Sequence, residues 1–311
     1  MVKLLSGLST IAVATLLLSS STVWGQSILL PNGQPDPAFN SNAMQVWLRG
    51  DSGIVSHVSN VVAEWNDKSN NGNNATQTLS SALRPNLETS FGGREAVEFA
   101  GNGSRLHFDT GFDSALDGSF TIFSYLAPGD GDPFRDSLWF GVLSPDESSR
   151  VALNNEGTGN VLTALHKADG NSANLFMPYS GGSPWPDGPQ SKFTLVTWVV
   201  EAGGMQHYYI DGDPTPTASA ASGTVANNAL FDSGVNSAFL GAMAGANGED
   251  PFPSALNTFP GQIAEFMIYD GALSGADREA VEDYMLSFVP EPGSFVLLVL
   301  GWLAMIVVRR R

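Results

Sequence analysis

The stretch VWLRGDSGIV, from Val46 to Val55, admits four interpretations that predict very different proteins. It contains RGDS, an adhesive tripeptide followed by serine; GDSG, as found around the nucleophile of serine proteases; and GDS, which opens the signature of a class of secreted lipases. It also fits the end of a β-strand followed by a glycine turn. The rest of the chain decides among these interpretations.

A serine nucleophile would need a histidine base in an order suited to its fold. The chain has four histidines: His57, His107, His166 and His207. All of them follow Ser52, which excludes the chymotrypsin-like order, and none has an aspartate three residues earlier, as GDS lipases require. An RGD ligand needs an exposed loop tip, whereas Arg49 continues an apolar strand. The stretch therefore predicts a strand end and a turn.

The N-terminus has the order of features that a secretory signal requires. Lys3 precedes an apolar run from Leu4 to Leu18, and SSSTVWGQ follows with small residues at the cleavage site. This order predicts a signal peptide over residues 1–25, with a signal helix and cleavage between Gly25 and Gln26.

The last 23 residues combine a proline-flanked glutamate, a charge-free run and an arginine cluster: Pro290, Glu291 and Pro292, then Phe295 to Val308, then Arg309, Arg310 and Arg311. As a helix the charge-free run spans about 21 Å, less than the roughly 30 Å of a bilayer core. Three arginines can nevertheless snorkel to the cytoplasmic interface and obey the positive-inside rule. We therefore expect a C-terminal transmembrane helix that acts as an anchor.

These C-terminal features, found together with an N-terminal signal, resemble the PEP-CTERM sorting signal of Gram-negative bacteria that use an exosortase. The resemblance implies export through the inner membrane, a sorting and anchor segment over residues 289–311, and processing by exosortase near Pro290-Glu291-Pro292. A plain, retained C-terminal anchor is the alternative.

Composition restricts the partners of the exported body. Without Lys3, the three terminal arginines and Glu291, the body carries 10 basic and 30 acidic residues. This charge disfavours nucleic acid and anionic lipid, and is compatible with cations or neutral glycans. The chain has no cysteine, which excludes disulfides, thiolate zinc sites and a cysteine nucleophile.

Strand-like runs recur through the body, with turn residues between them. They are Met44 to Arg49, Val61 to Trp65, Ala96 to Ala100, Ser119 to Ala127, Ser137 to Leu143, Phe193 to Glu201, Met205 to Asp211, Ala238 to Gly241 and Gly261 to Asp270. Asp211-Gly212 predicts a hairpin, and Ser274 with Asp277 predicts a capped helix against the sheet edge. An irregular entry segment over 26–42 and a single domain over 43–288 complete the predicted organisation.

Several motifs follow one another along the body: Trp47-Leu48-Arg49 with Asp51 and Gly53; Trp65 to Ser69 with Gly72-Asn73 and Ala75; Arg84-Pro85; Phe99 with Gly101; Ser119-Phe120-Thr121; Tyr209 to Gly212; and Gly261 to Glu265. In this order they resemble the LamG-like domains of the concanavalin A-like lectin/glucanase superfamily. Asn70 stands where that family usually has glycine. The resemblance implies an all-β fold, an antiparallel jelly-roll sandwich with one C-terminal capped helix.

The resemblance alone implies no reaction, since this fold hosts binding modules and glycoside hydrolases alike. The ExDxxE pattern of laminarinase-like members is absent, and Glu95 and Glu98 fall on opposite faces of one strand. Carboxylates brought together from separate strands remain an alternative. We expect no catalytic residues, with a glycoside hydrolase as the competing interpretation.

Two candidate ligand sites remain. Asp67, Ser69, Asn71 and Asn73 copy the first, third, fifth and seventh positions of a calcium loop, but Thr78 replaces the usual glutamate at the twelfth. The alternative is a turn bonded by its own side chains. Trp185, in a Pro/Gly-rich loop, is a candidate for sugar stacking or for burial on the sandwich.

Together these features predict an exported, non-catalytic LamG-like protein of the bacterial envelope or extracellular matrix. We expect it to be membrane-associated through its C-terminal segment or released after cleavage. Its expected partners are exosortase and an exopolysaccharide or other glycan, not nucleic acid, and calcium is the one candidate cofactor. A glycoside hydrolase and a structural matrix protein are the alternatives.

Overall fold

The structure is a computed structural model, and every structural statement below concerns the residues that it describes. These are residues 28–30, 32–36, 44–56, 60–78, 81–89, 95–101, 103–108, 113–128, 137–143, 150–156, 160–166, 172–177, 193–222, 237–241 and 258–287.

One sheet has eight antiparallel strands. They are β1 Met44–Arg49, β5 Asn86–Thr89, β6 Glu95–Ala100, β8 Phe120–Pro128, β13 Thr194–Val200, β14 Met205–Ile210, β15 Ala218–Ala221 and β17 Pro260–Asp270. Their order is β15-β14-β13-β8-β17-β6-β5, and β1 pairs with the second half of β17. The long β17 is therefore the strand on which this sheet is assembled.

The second sheet has nine antiparallel strands in the order β12-β11-β10-β9-β16-β7-β4-β3-β2. They are β2 Ile54–Ser56, β3 Val62–Trp65, β4 Ala75–Thr76, β7 Leu106–Phe108, β9 Ser137–Leu143, β10 Arg150–Glu156, β11 Asn160–His166, β12 Ser172–Met177 and β16 Ser237–Leu240. The predicted all-β, two-sheet antiparallel architecture is confirmed, and each of the nine predicted runs contains a strand.

Alternation along β8 explains how one sheet is buried on both faces. Phe120 and Ile122 belong to the core between the two sheets, whereas Phe123 and Tyr125 belong to a second apolar cluster on the outer face. Residues at successive positions of a strand point to opposite faces, so both faces of this strand are covered.

The core between the sheets is rich in aromatic side chains. Trp65 and Trp139 from the nine-stranded sheet and Trp198 from the eight-stranded sheet are fully buried there. Phe120 meets Trp198 edge-on, with ring centroids 5.1 Å apart. Trp47 is also buried, but in the outer cluster and not between the sheets.

The single α-helix among the described residues, α1 Gly275–Ser287, begins at the predicted cap. The Ser274 hydroxyl accepts a hydrogen bond from the Asp277 amide at 3.2 Å and donates one to the Asp277 carboxylate at 2.7 Å. The predicted position at the sheet edge is wrong. The helix lies over the outer face of the eight-stranded sheet, because its apolar side chains bury those of residues such as Met267 and Tyr269 there.

The predicted signal helix, sorting motif and C-terminal anchor lie outside the described residues. Gly25, Gln26, Pro290 to Pro292, Phe295 to Val308 and Arg309 to Arg311 all belong to those parts of the chain. Among the helices in the described part, none is long and apolar enough to cross a membrane.

Candidate functional site

The Asp67 carboxylate organises the turn between β3 and β4. One carboxylate oxygen accepts hydrogen bonds from the backbone amides of Trp47 and Ser69, both at 2.8 Å. The other accepts from the Ser69 hydroxyl at 2.6 Å and from the Asn73 amide at 3.0 Å. Four donors thus converge on one carboxylate and fasten the turn to strand β1.

The other polar residues of the turn also bond to β1. The Asn71 amide nitrogen donates to the carbonyl of Met44, and Asn73 donates to the carbonyl of Gln45 at 2.7 Å. Asn70 has a φ of 71°, in the left-handed region that favours glycine. Asparagine tolerates this conformation better than most residues other than glycine, so the sequence suits the turn at this position.

These contacts are those of a side-chain-bonded turn, the alternative to a calcium loop. Both Asp67 oxygens already accept N–H or O–H donors, and Asn71 and Asn73 direct amide nitrogens toward carbonyls. A cation would have to displace several of these bonds. Within the described residues, moreover, no three histidine or acidic side chains come together as a metal site. The calcium site therefore stays a prediction.

Beside this turn, the RGDS segment is tied down within the fold. The Arg49 guanidinium donates to the Asp51 carboxylate at 2.6 Å, with its side chain only 14% exposed. The Ser52 amide donates to the Arg49 carbonyl at 3.2 Å, and Gly53 has a φ of 79°. The arginine and aspartate thus bind each other across a tight turn, as the strand-end interpretation predicts.

The acidic residues Glu88 and Glu98 lie diagonally on neighbouring strands. Asn86 pairs with Glu98, and Glu88 pairs with Ala96 in the β5–β6 ladder. Burial raises the pKa of Glu98, and the nearby Glu88 charge raises it further, while a hydrogen bond to Gln262 opposes both effects. Diagonal pairs of this kind have Cβ atoms about 7 Å apart. The two strands thus bring two carboxylates near each other, one of them with a raised pKa.

Ring-bearing and apolar side chains lie in a row on the outer face of β14. Gln206 and Tyr208 point into the sandwich and are buried, whereas Met205, His207 and Tyr209 alternate with them on the other face. Met205 is 38% exposed. The His207 and Tyr209 ring centroids are 6.3 Å apart, and the planes are inclined by 48°. These three residues define what we call the β14 row.

Neighbouring groups hold both rings in place. The Arg278 guanidinium of α1 lies 3.7 Å from the centroid of the Tyr209 ring, and it also bonds the buried Glu282 carboxylate at 2.9 and 3.1 Å. His207 Nδ1 lies 2.8 Å from the Ser219 hydroxyl on β15. Burial raises the pKa of Glu282, and Arg278 opposes that effect. Burial likewise raises the pKa of Tyr209.

Sequence reasoning placed no site on β14. The signal was present in MQHYYI, where every second residue, outside the buried positions, is a methionine or carries a ring. Trp185, the candidate that was predicted for sugar stacking, lies outside the described residues.

The fold is similar to those of solved toxin binding domains. The binding domain of Paraclostridial Mosquitocidal Protein 1 aligns with a TM-score of 0.53 and 13% identity, covering 80% of this chain and 55% of that chain. The botulinum neurotoxin type G receptor binding domain has a TM-score of 0.51 and 16% identity, covering 81% and 54% respectively. The binding domain of botulinum neurotoxin DC in complex with SialylT gives 0.51 and 13%, covering 77% and 50%.

This chain therefore aligns to about half the length of these neighbours. At such identities the likeness concerns the fold alone, a β-sandwich that toxin receptor-binding domains also use. No family model matches the sequence, and no curated protein matches it.

Proposed function

We propose that this chain is an exported, non-catalytic, LamG-like jelly-roll protein that binds glycans or matrix polymers in the envelope of a Gram-negative bacterium. The carrying observation is the two-sheet sandwich shared with solved binding domains over about four fifths of the chain. One of these neighbours is a binding domain in complex with SialylT. Fold supplies only a prior for function, so the binding must be tested directly.

The chain's charge supports an uncharged or cationic partner. The formal net charge is −17, and an acidic surface repels nucleic acid and anionic polymers. The test is a glycan array probed with the full-length protein, with and without calcium. Binding to defined glycans supports the proposal. Binding that appears only with calcium would support a calcium site at the Asp67 turn. The absence of binding in both conditions would favour a structural matrix protein.

We further propose that the chain is sorted by its two ends around a single domain over residues 43–288. The PEP-CTERM-like segment would be recognised by exosortase and held in the inner membrane before cleavage. Intact-mass spectrometry of protein from cells with an exosortase tests this proposal. A product that begins at Gln26 and ends near Pro292 supports it, whereas a retained Arg311 supports a permanent anchor.

A glycoside hydrolase of the same fold is the second candidate. The diagonal pair Glu88 and Glu98 favours it, because a raised pKa on one of two carboxylates is what a general acid needs. Release of reducing sugars from bound glycans tests it, with Glu98→Gln as the variant. Turnover that Glu98→Gln abolishes would establish the hydrolase, and the absence of turnover on glycans that bind would dismiss it.

A further inference from the structure

We propose that the β14 row, with Ser219 beside it, is the surface that binds glycan, and that its ligand is an uncharged saccharide chain. The inference rests on the proposed glycan-binding function, and it assigns that function a place and a ligand chemistry. Tyr209 and His207 would stack on sugar faces, and Met205 would extend the apolar contact at the other end of the row.

The chemistry of the row is unusual for the outer face of a strand that is only partly covered, with Met205 exposed and His207 and Tyr209 half-buried. Outward positions of an exposed strand usually carry charged or small polar residues, whereas these three carry a thioether, an imidazole and a phenol. Across the ladder, Met205 is opposite Ala221 and His207 is opposite Ser219. Because these β15 side chains are small, they cover little of the larger β14 side chains beside them, and a ligand can reach the exposed Met205 and the half-buried His207 and Tyr209.

The rings are fixed before a ligand arrives. The Arg278 guanidinium covers the Tyr209 ring at 3.7 Å, and Arg278 is itself fixed by Glu282 and by the Asp213 carbonyl at 3.3 Å. The Ser219 hydroxyl holds His207 through Nδ1, and the other ring nitrogen, Nε2, is the one that we propose bonds a ligand. Side chains that are already ordered lose little entropy on binding, which favours affinity.

The rings of the β14 row and the carboxylates near them indicate which kind of ligand the surface would bind. A pyranose offers a face of C–H groups, which gains dispersion energy on an aromatic ring, and hydroxyls, which can bond to the imidazole or phenol. Burial is the main cause of the raised pKa of the Tyr209 hydroxyl; Arg278 lowers that pKa, and the carboxylates of Glu282, Glu201 and Glu279 raise it, so three acids surround the ring and the cation beside it. In a chain of net charge −17 these acids repel uronate and sulfate groups. An uncharged saccharide meets no such repulsion.

The size of the surface disfavours a protein as the ligand. A stable protein interface buries about 800 Å² on each partner and uses about 20 residues or more on each side. The β14 row offers three side chains and the edge of a short neighbouring strand. That area suits a few sugar units better than a folded domain.

The test is affinity electrophoresis of the full-length chain in native gels that contain laminarin, dextran or galactomannan, with alginate as an anionic polymer and chitosan as a cationic one. Because the full-length chain includes apolar terminal segments, the gels contain detergent, and we use one with a polyoxyethylene head group so that the detergent itself offers no sugar. The variants are Tyr209→Ala, Tyr209→Phe and His207→Ala. The matched control is Val55→Ala, which removes an apolar side chain that is 43% exposed on the other sheet.

We expect at least one uncharged polysaccharide to retard the wild-type chain and Val55→Ala equally. Tyr209→Ala should weaken binding about tenfold, equivalent to about 1.4 kcal/mol, and His207→Ala should weaken it several-fold. Tyr209→Phe should bind nearly as well as wild type, because it keeps the ring. Since Tyr209 also supports α1, thermal unfolding of each variant is measured alongside, and His207→Ala tests the surface without touching the helix.

Each other outcome overturns a defined part of the account. If an uncharged polymer retards wild type, Tyr209→Ala and His207→Ala equally, the glycan-binding function survives and the β14 row is wrong. If only alginate or chitosan retards the chain, the ligand chemistry is wrong. If no polymer retards the wild-type chain, the proposed function fails, and the surface assignment fails with it.

Discussion

Replacing Asp67 with alanine removes the acceptor of four hydrogen bonds at the junction between β1 and the β3–β4 turn. Three backbone amides, those of Trp47, Ser69 and Asn73, and the Ser69 hydroxyl lose their partner at once. The residues that carry these amides are only 5%, 3% and 6% exposed. Water cannot readily replace the carboxylate at buried donors, so the loss should appear as lost stability.

The expected loss in the free energy of unfolding follows from the burial of these three amides. A buried donor without an acceptor costs about 1 to 3 kcal/mol, and the edge of this turn is exposed, so we take about 1 kcal/mol for each amide. Asp67→Ala should therefore lower the free energy of unfolding by about 3 kcal/mol. Asp67→Asn keeps one carbonyl oxygen as an acceptor and should lose an intermediate amount. For a chain of this size the alanine variant should melt about 6 to 12 °C below wild type.

The assay is urea unfolding followed by tryptophan fluorescence, with Asp213→Ala as the control. The Asp213 carboxylate accepts one bond, from the Thr215 amide, in an exposed turn, and its removal should cost no more than about 0.5 kcal/mol. The slope of free energy against urea should be unchanged in both variants. Stability of Asp67→Ala within about 0.5 kcal/mol of wild type would refute the claim that this carboxylate fastens β1.

Four further predictions concern the stability of the folded chain. Since four donors saturate Asp67, millimolar calcium should leave the unfolding temperature unchanged, and a rise of several degrees would support a calcium site instead. Ser274→Ala should lower stability by about 1 kcal/mol through loss of the helix cap, as measured by urea unfolding. Arg278→Ala should cost about 3 kcal/mol, because it leaves the Glu282 carboxylate buried without its cation; a loss below about 1 kcal/mol would contradict a buried pair. The folded-state pKa of Glu98 lies above its ordinary 4.5, so the stability that its proton supplies is complete below pH 4.5 and is lost as pH rises through the folded value. Glu98→Gln should consequently lose less stability than wild type between pH 4.5 and 7, and parallel pH profiles for the two proteins would count against the raised pKa.

Much of the fold is predictable because local pattern and burial agree. The alternation in Phe120 to Ala127 is sufficient to place opposite faces in two apolar layers, and the four strand tryptophans follow the same rule. Asp211-Gly212 predicts the hairpin, because aspartate and glycine tolerate the positive φ that such a turn requires. Both residues do adopt positive φ, at 51° and 74°. These features depend on neighbours in sequence, so they can be read from one chain.

Other features depend on contacts between distant segments. Strands β4 and β7 have two and three residues, too few to display a period, and they exist because neighbouring strands of the sheet pair with them. The helix was expected at a sheet edge because its own pattern specifies an apolar stripe and not the surface that receives it. In the same way, the stacking of Arg278 on Tyr209 joins α1 to β14, and nothing local to either segment specifies it.

We propose that this sandwich binds a glycan without cleaving it. To test this, the full-length protein is incubated overnight with an uncharged polysaccharide to which it binds, and both the bound fraction and the chain length of the polysaccharide, the latter by mass spectrometry, are then measured. We expect saturable binding and an unchanged chain length. Shortened glycan would contradict the non-catalytic assignment, and the absence of binding would contradict the function itself.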